Sequence, residues 1–316
     1  MNNKQRLQIL LEGQIPDIPP HFELVFQLEK EVFGMDWQTV KKGLYASSAD
    51  RQKAMQQFHI ELCSHLVDEL GWSAVPALCY EEGIDSILSI TCLKEAIGDR
   101  ALVFSFSSDG VFWMPVGSEI MDFTVMLFER PAEMHAKAKA KCQAAKELSK
   151  RQVDAGVDFI IQNTDFGYNS GPFISPSHFR EFITPYMTEI VSVIHDLKTP
   201  VILHSDGDLR LLLEQLYSTG IDGYQSVDPQ AHMDIKMVRG QFPKWLLMGN
   251  VACNLLQDTN EEEIRGAVRY CMKHGGVGKK YIFSTSNCIF AGMPPESYRI
   301  MLDEYRSCCE ELPRSL

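Results

Sequence analysis

The chain has 316 residues, 45% of them hydrophobic and 23% charged, so it can bury one large core in the size range of an α/β barrel. Its formal net charge of -12 argues against a nucleic-acid partner, and no apolar run reaches the roughly 18 residues that a membrane helix needs. The first residues have no signal-peptide pattern and the nine cysteines are scattered, so we expect a cytoplasmic protein with reduced thiols.

The first half of the chain has weaker patterns than the second. We predict a helical N-terminal segment, followed by a helix at about 51–70 that ends at Gly71. Short apolar runs predict strands near 74–79 and 101–106, and a periodic stretch predicts a helix at about 132–155. These elements account for about three βα units.

The second half alternates short β-branched runs with helical patterns, at the spacing of βαβ units. The predicted strands are 157–162, 200–204, 223–227, 245–249 and 280–284. Each run is short and apolar, which is typical of a strand that is buried on both faces.

Three helices are predicted between and after these strands. The first spans 177–197 and follows Ser175, a plausible N-cap. The second follows Thr259, which stands at the capping-box spacing from Glu262. The last begins at Pro294.

Five units in the second half and about three in the first predict a (β/α)8 TIM-type barrel. No linker or low-complexity tract interrupts the chain, so we interpret residues 1–316 as a single domain. An open, doubly wound sheet is the alternative architecture that alternating β and α patterns also fit.

Polar side chains follow each predicted strand of the second half. Parallel α/β folds bind ligands at the carboxyl ends of their strands, so these side chains are candidate site residues. They are Asp165, Tyr168, His204, Asp206, Asp228, Asn250, Cys253, Ser286, Asn287 and Cys288. Each also admits a structural role, as a helix cap, a turn former or a buried thiol.

His204 and Asp206 are the pair that best suits a shared ligand. Residues two apart in an extended chain point to the same face, so both side chains can reach one ion. With Cys253 and Cys288, which follow other strands, they form a nitrogen, sulfur and oxygen donor set of the kind that zinc selects. The competing interpretation is that Asp206 only caps the next helix.

Several motifs resemble the uroporphyrinogen decarboxylase superfamily, in particular its branch of corrinoid-protein methyltransferases. They are Asp165-Phe-Gly-Tyr-Asn-Ser-Gly-Pro-Phe-Ile-Ser-Pro, His204-Ser-Asp-Gly, Gly220-Ile-Asp-Gly followed by Asp228-Pro, Gly249-Asn-Val-Ala-Cys, and Ile282 to Ile289 before Pro294-Pro-Glu. The resemblance covers about residues 150–310 well and the first half weakly. It implies a (β/α)8 barrel with its cleft at the end that carries the motifs.

The two branches of this superfamily differ in their N-terminal segment. A true uroporphyrinogen decarboxylase holds its substrate carboxylates with an arginine-rich segment. The corresponding stretch here, residues 18–26, offers His21 and Glu23, and no arginine occurs between Arg6 and Arg51. Acidic and apolar side chains would repel a polyanionic porphyrinogen, so the methyltransferase branch is favoured.

The resemblance also implies a metal. Zinc methyltransferases of this branch hold the ion with a His-x-Cys pair and a later cysteine. Here the pair is His204-x-Asp206, so a carboxylate replaces one thiolate, and the later cysteine is either Cys288 or Cys253. An oxygen-rich zinc site is a harder Lewis acid and suits polarising an ether or alcohol oxygen.

The sequence therefore predicts an enzyme of anaerobic demethylation. It would move a methyl group between a small O-, N- or S-methyl compound and a corrinoid carried by a separate partner protein. Asp165, Tyr168 and Glu23 are the predicted catalytic residues, which orient the substrate or manage its proton. The predicted substrate-binding residues are His21, Asn250, Ser286 and Asn287. The alternative functions are a metal-free decarboxylase and a non-catalytic binding subunit. The sequence is also compatible with a homodimer.

Overall fold

The computed structural model of the protein describes residues 1–78, 84–107, 111–276 and 278–312. The strands in these ranges are β1 (Ala74–Pro76), β2 (Leu102–Phe106), β3 (Phe159–Asn163), β4 (Gly167–Tyr168), β5 (Gly171–Pro172), β6 (Val201–His204), β7 (Gly223–Gln225), β8 (Leu246–Val251) and β9 (Tyr281–Thr285). Seven of them form one parallel sheet in the order β1-β2-β3-β6-β7-β8-β9, and β4 pairs with β5 in a small antiparallel hairpin.

Helices connect the strands in the manner of βα units. They are α1 (Asn3–Leu11), α2 (Glu29–Phe33), α3 (Trp37–Lys41), α4 (Ser48–Asp68), α5 (Ser86–Ile97), α6 (Glu119–Glu129), α7 (Pro131–Asp154), α8 (Pro176–Phe182), α9 (Thr184–Asp196), α10 (Leu213–Ser218), α11 (Ile235–Gln241), α12 (Glu261–Cys271) and α13 (Pro295–Glu310). Within the described ranges, none of these helices combines the length and the apolar character that crossing a membrane requires.

Residues 20–26 join the two edges of the sheet. The Phe283 amide of β9 donates to the Pro20 carbonyl at 2.9 Å, and the Ser73 amide, just before β1, donates to the His21 carbonyl at 2.8 Å. This segment therefore occupies the eighth position of the barrel. Its pairing on the β9 side consists of isolated bridges at His21 and Phe26 rather than a continuous ladder, and Pro20 has no N–H to donate.

Aromatic side chains fill the interior of the barrel. Phe22 and Phe159 lie on segments that are separated by two strands, yet their ring centroids are 5.8 Å apart. Phe104 lies between them, with its ring 5.3 Å from each. Contact across the interior is what a closed barrel produces, so the predicted (β/α)8-type fold is confirmed and the open sheet is excluded.

The predicted strands of the second half all occur, with ends shifted by a few residues. The predicted strand near 74–79 ends at Pro76, and its last position lies outside the described residues. The predicted helix 177–197 is instead two helices, because Pro185 removes a backbone donor just after α8 ends. The predicted capping box at Thr259 is wrong by one residue.

The N-cap of α12 is Asn260, whose side chain accepts from the Glu263 amide. The Ser175 cap of α8 is confirmed, since its hydroxyl accepts from the His178 amide at 3.3 Å. Helices α5 and α6 carry apolar residues on more than one face, and their weak periodicity left them unpredicted.

Candidate metal centre and active-site cleft

The segments that follow β3, β6, β7 and β9 converge at one end of the barrel. The Asp206 amide donates to Asp165 Oδ1 at 3.0 Å. Ser226 Oγ donates to Asp206 Oδ1 at 2.7 Å, and the Asn287 side-chain amide donates to the other oxygen of the same carboxylate. The predicted convergence of these segments is confirmed.

Asp165, His204 and Asp206 form a cluster of candidate metal ligands. One ligand atom from each side chain lies within 4.8 Å of the others. His204 Nε2 is 3.7 Å from Asp165 Oδ1, close enough for one cation to contact both. One imidazole nitrogen and two carboxylates are a donor set that suits a divalent cation, and three protein ligands leave a coordination position open for a substrate.

The contact between His204 and Gln225 sets the tautomer of the imidazole. His204 Nδ1 hydrogen-bonds to Gln225 Oε1, and both side chains are buried. An amide oxygen can only accept, so Nδ1 carries a proton, and Nε2, on the side of Asp165, is the nitrogen that a cation would use. A metal-binding histidine is commonly fixed in this way by a partner on its other nitrogen.

The backbone after β7 is strained where it meets the cluster. Ser226 and Val227 have φ values of 105° and 47°, and a β-branched residue rarely adopts positive φ. The Asn250 side-chain amide donates to the Val227 carbonyl and so holds this turn. A Cβ on Gly249 would lie 2.3 Å from the Ser226 carbonyl oxygen, so only glycine fits beside it. The strained turn places the Ser226 hydroxyl on Asp206.

Burial raises the pKa of the Asp206 carboxyl, and the negative charge of Asp165 raises it further, while His204 opposes the shift. Two carboxylates that share a partly buried site repel each other, so a bound cation would stabilise the charged form of both. The electrostatics of the cluster therefore favour a cation as ligand.

A cleft of about 700 Å³ opens beside this cluster. It is lined by Met114, Asp165, Gly167, Tyr168, Asn169, Ser170, Asp206 and His232. None of these described residues is a lysine or an arginine. Tyr168 is 46% exposed at the rim, where it can contact a bound molecule. The cleft presents carboxylates rather than the guanidinium groups that a polyanionic substrate needs.

Glu23 belongs to residues 20–26, hereafter the closing segment, and its side chain is buried against β9. Its carboxylate accepts from Ser284 Oγ at 2.8 Å, from Thr285 Oγ1 at 2.7 Å and from the Thr285 amide at 2.9 Å. Burial nevertheless raises its pKa to about 7, against an ordinary value of 4.5. The group can therefore take up and release a proton near neutrality, and its catalytic role stays a prediction.

Replacing Glu23 with glutamine is expected to remove a pH dependence of stability. An acid whose pKa is higher in the folded chain binds more protons when folded, so the free energy of unfolding falls as the pH rises from about 4.5 to about 7. The expected fall is up to about 3 kcal/mol. Urea unfolding of the wild type and of Glu23→Gln at about pH 4.5 and about pH 7.5, which span this range, measures it.

The pH dependence of the wild type alone is not enough, because protonation of His21 changes the free energy of unfolding in the opposite direction. Burial lowers the pKa of His21 to about 4, so its contribution to stability rises with pH over the same range. The difference between wild type and Glu23→Gln isolates Glu23. The exposed Glu31 provides the control variant Glu31→Gln, which should leave the dependence unchanged. An identical pH dependence in all three proteins would contradict the assignment.

The structure places His21 between the sheet and α13. Its Nδ1 is 2.9 Å from the Phe283 carbonyl and its Nε2 is 3.1 Å from the Tyr298 hydroxyl. Both ring nitrogens are thus engaged within the protein, and the ring is buried. The predicted role of His21 in substrate binding stays a prediction, while its position gives it a part in joining the closing segment to α13.

The two candidate cysteines form a separate group with Ser286. Cys253 Sγ is 3.5 Å from the Cys288 carbonyl, and Ser286 Oγ is 3.7 Å from Cys253 Sγ. Burial raises the pKa of both thiols. Among the residues that the structure describes, neither belongs to the cluster that contains His204.

Asp165, predicted as a catalytic residue, takes the position in the cluster that the sequence analysis gave to a thiolate. Metal ligation by Cys253 or Cys288 stays a prediction. Asn250 and Asn287 use their amides to hold Val227 and Asp206, so their contacts are within the protein, and substrate binding by them is likewise untested by these contacts.

Sequence reasoning missed Gln225 and Ser226. Both fall inside the predicted strand 223–227, whereas β7 ends at Gln225 and the chain turns there. The available signal was the pair of consecutive polar residues in an otherwise apolar run.

Comparison with known proteins gives one family. The family model described as uroporphyrinogen decarboxylase (URO-D) matches residues 87–308. The uroporphyrinogen decarboxylase of Ralstonia nicotianae is 26% identical over 186 residues, which are 57% of this chain and 49% of that protein. The chloroplastic enzyme of Nicotiana tabacum is 26% identical over 219 residues, 66% of this chain and 54% of that protein. The chain thus spans about half the length of these curated relatives.

Two solved structures share the fold over almost the whole chain. A methyltransferase from Methanosarcina mazei has a TM-score of 0.77 at 16% identity, covering 97% of this chain and 99% of that one. A putative vitamin-B12 independent methionine synthase from Listeria monocytogenes has a TM-score of 0.59 at 14% identity, covering 92% and 95%. At these identities the likeness establishes the fold.

Proposed function

This chain belongs to the uroporphyrinogen decarboxylase family, and on that premise we propose that it is a metal-assisted methyltransferase. It moves a methyl group between a small O-, N- or S-methyl compound and a corrinoid carried by a separate protein, in the cytoplasm. The observation that carries the proposal is the cluster of Asp165, His204 and Asp206, whose ligand atoms lie within 4.8 Å of one another beside the cleft.

The residues of the cluster fit a divalent cation, including the zinc that the sequence implies. Zinc accepts imidazole and carboxylate ligands, and Nε2 of the buried His204 ring lies 3.7 Å from Asp165 Oδ1, with Nδ1 held by Gln225. The two oxygen donors also admit harder ions such as Mn²⁺. A bound cation would supply a Lewis acid that stabilises negative charge on the departing heteroatom of the substrate.

The chain's own residues orient that site. Ser226 and Asn287 each donate to one oxygen of Asp206 and fix its carboxylate, and Gln225 fixes the ring of His204. Tyr168 at the rim orients the substrate. Glu23, with its raised pKa, is the group that exchanges a proton near neutral pH.

The charge of the cleft favours this activity over decarboxylation of a porphyrinogen. A substrate with many carboxylates requires cationic partners, and none of the described residues lining the cleft is a lysine or arginine. A small neutral or cationic methyl donor meets no such repulsion. The shared fold with a methyltransferase from Methanosarcina mazei, which covers 97% of this chain, supports the proposal.

The direct test is an anaerobic assay of the purified chain. The protein is supplied with a divalent metal, reduced cobalamin and a panel of methyl ethers, methylamines and methyl thioethers, and methylcobalamin is followed by absorbance. We expect methylation from at least one class of donor. In parallel, uroporphyrinogen is offered and carbon dioxide release is measured. Decarboxylation by metal-free protein, with no methyl transfer from any donor, would contradict the proposal.

A further inference from the structure

A second cavity lies beside the closing segment. It measures about 320 Å³ and lies between residues 24–29, α4 and the last residues of β1 and β2. Among the residues that the structure describes, no lining residue is common to this cavity and the cleft beside the metal cluster. Its volume is at the lower end of the range of small-molecule sites, so it would hold a compact ligand.

The walls of this cavity are mainly hydrocarbon and aromatic. Phe26, Trp37, Trp72 and Phe106 contribute aromatic rings, and the remaining wall is largely aliphatic. Trp72 is held in place because its indole N–H donates to the Tyr298 hydroxyl at 3.2 Å. Such walls bind the apolar body of a ligand, and their π faces attract a cation.

Glu29 is the carboxylate among the described lining residues, none of which is a lysine or an arginine. Its side chain is half-buried, and its Oε2 is inaccessible with no hydrogen-bond partner among the described residues. His59, also in the wall, has its Nε2 2.8 Å from the Pro76 carbonyl. A buried carboxylate oxygen without a partner is costly, so it calls for a donor from the ligand.

We propose that this cavity binds a small organic ammonium compound. The cationic nitrogen pairs with Glu29, and the hydrocarbon body contacts Phe26, Trp72 and Phe106. Burial raises the pKa of the Glu29 carboxyl, and an ammonium partner offsets that effect. The proposal is argued from a different set of described residues than the methyl-transfer cleft, so binding can be tested separately from turnover.

Three probes separate the contributions of charge and hydrocarbon. Isothermal titration calorimetry of the full chain uses benzylamine, benzyl alcohol and methylammonium. These are an aromatic cation, its neutral counterpart and a cation without an aromatic ring. Benzylamine should bind about tenfold more tightly than benzyl alcohol, because a charge-assisted hydrogen bond to a carboxylate adds at least that factor. Methylammonium should bind more weakly than benzylamine, since it leaves the walls unfilled.

Matched glutamine variants assign the charge. Glu29→Gln should reduce the preference for benzylamine over benzyl alcohol to about twofold or less. Glu31 lies in the same first turn of α2 but is exposed, so Glu31→Gln removes the same charge and should keep the full preference. Equal binding of benzylamine and benzyl alcohol by the wild type, or equal losses in the two variants, would overturn the proposal.

Discussion

His204→Ala is expected to abolish methyl transfer while the barrel stays folded. The change removes the only nitrogen donor of the Asp165–His204–Asp206 cluster and leaves two carboxylates facing each other. Losing one electrostatic contributor of this kind costs roughly 10²–10³-fold in rate, and loss of the cation itself would cost more. The His204 ring is buried at the end of β6 and hydrogen-bonded to Gln225, so the variant should lose some stability while the barrel stays folded. Turnover and circular dichroism measure the two effects separately.

His232 provides the control for this variant. It lines the same cleft and lies outside the cluster. Its φ is 61°, a conformation that asparagine tolerates, so His232→Asn removes an imidazole without backbone strain. We expect this variant to keep most of its activity. If the His204 variant kept full turnover, or if both variants lost it equally, the cluster would not be the catalytic centre.

Gly207→Ala is expected to have the largest effect on stability. Gly207 has φ +94°, and a Cβ there would lie 2.2 Å from the Gly167 carbonyl oxygen. The backbone after β6 therefore touches the backbone after β3, which brings Asp206 beside Asp165. A positive φ costs a residue other than glycine of order 1–3 kcal/mol, and the steric overlap adds a similar amount. We therefore expect the free energy of unfolding to fall by roughly 3 kcal/mol or more.

Gly220→Ala is the matched control for that prediction. Gly220 has a comparable φ of +85°, but the nearest heavy atom to an added Cβ is 3.9 Å away. Gly220→Ala therefore introduces the backbone strain of a positive φ without a steric overlap of the added Cβ. Urea unfolding should show a larger loss for Gly207→Ala than for Gly220→Ala, together with lost cation binding in the first alone. Equal losses of stability in the two variants would mean that the close approach of the Gly207 and Gly167 backbones does not contribute to stability.

Much of the fold could be predicted because parallel strands leave a simple signal. A strand covered on both faces is a short apolar run, and the five runs of the second half all became strands of the sheet. The closing segment was not predicted as a strand: Glu23 interrupts its apolar run, and its pairing consists of isolated bridges at His21 and Phe26. The break between α8 and α9 was also missed, as its apolar pattern continues through Ile183.

The candidate site was predictable only in part. The two-residue spacing of His204 and Asp206 follows from strand geometry, and both joined the cluster. The third member depends on which segments come within reach, and the contact of Gly207 with Gly167 decides that in favour of Asp165. No periodic pattern encodes such a backbone contact. Ser226 reaches Asp206 through a strained turn that no propensity predicts.

The metal content of anaerobically purified protein tests the central claim most directly. The protein is first incubated with Zn²⁺ or Mn²⁺ and freed of loosely bound ions. Elemental analysis by mass spectrometry should then find about one divalent cation per chain, the number that one three-ligand site holds. His204→Ala should lose that ion, and His232→Asn should retain it. Wild-type protein that catalyses methyl transfer with no bound metal, or metal retained in full by His204→Ala, would contradict the account.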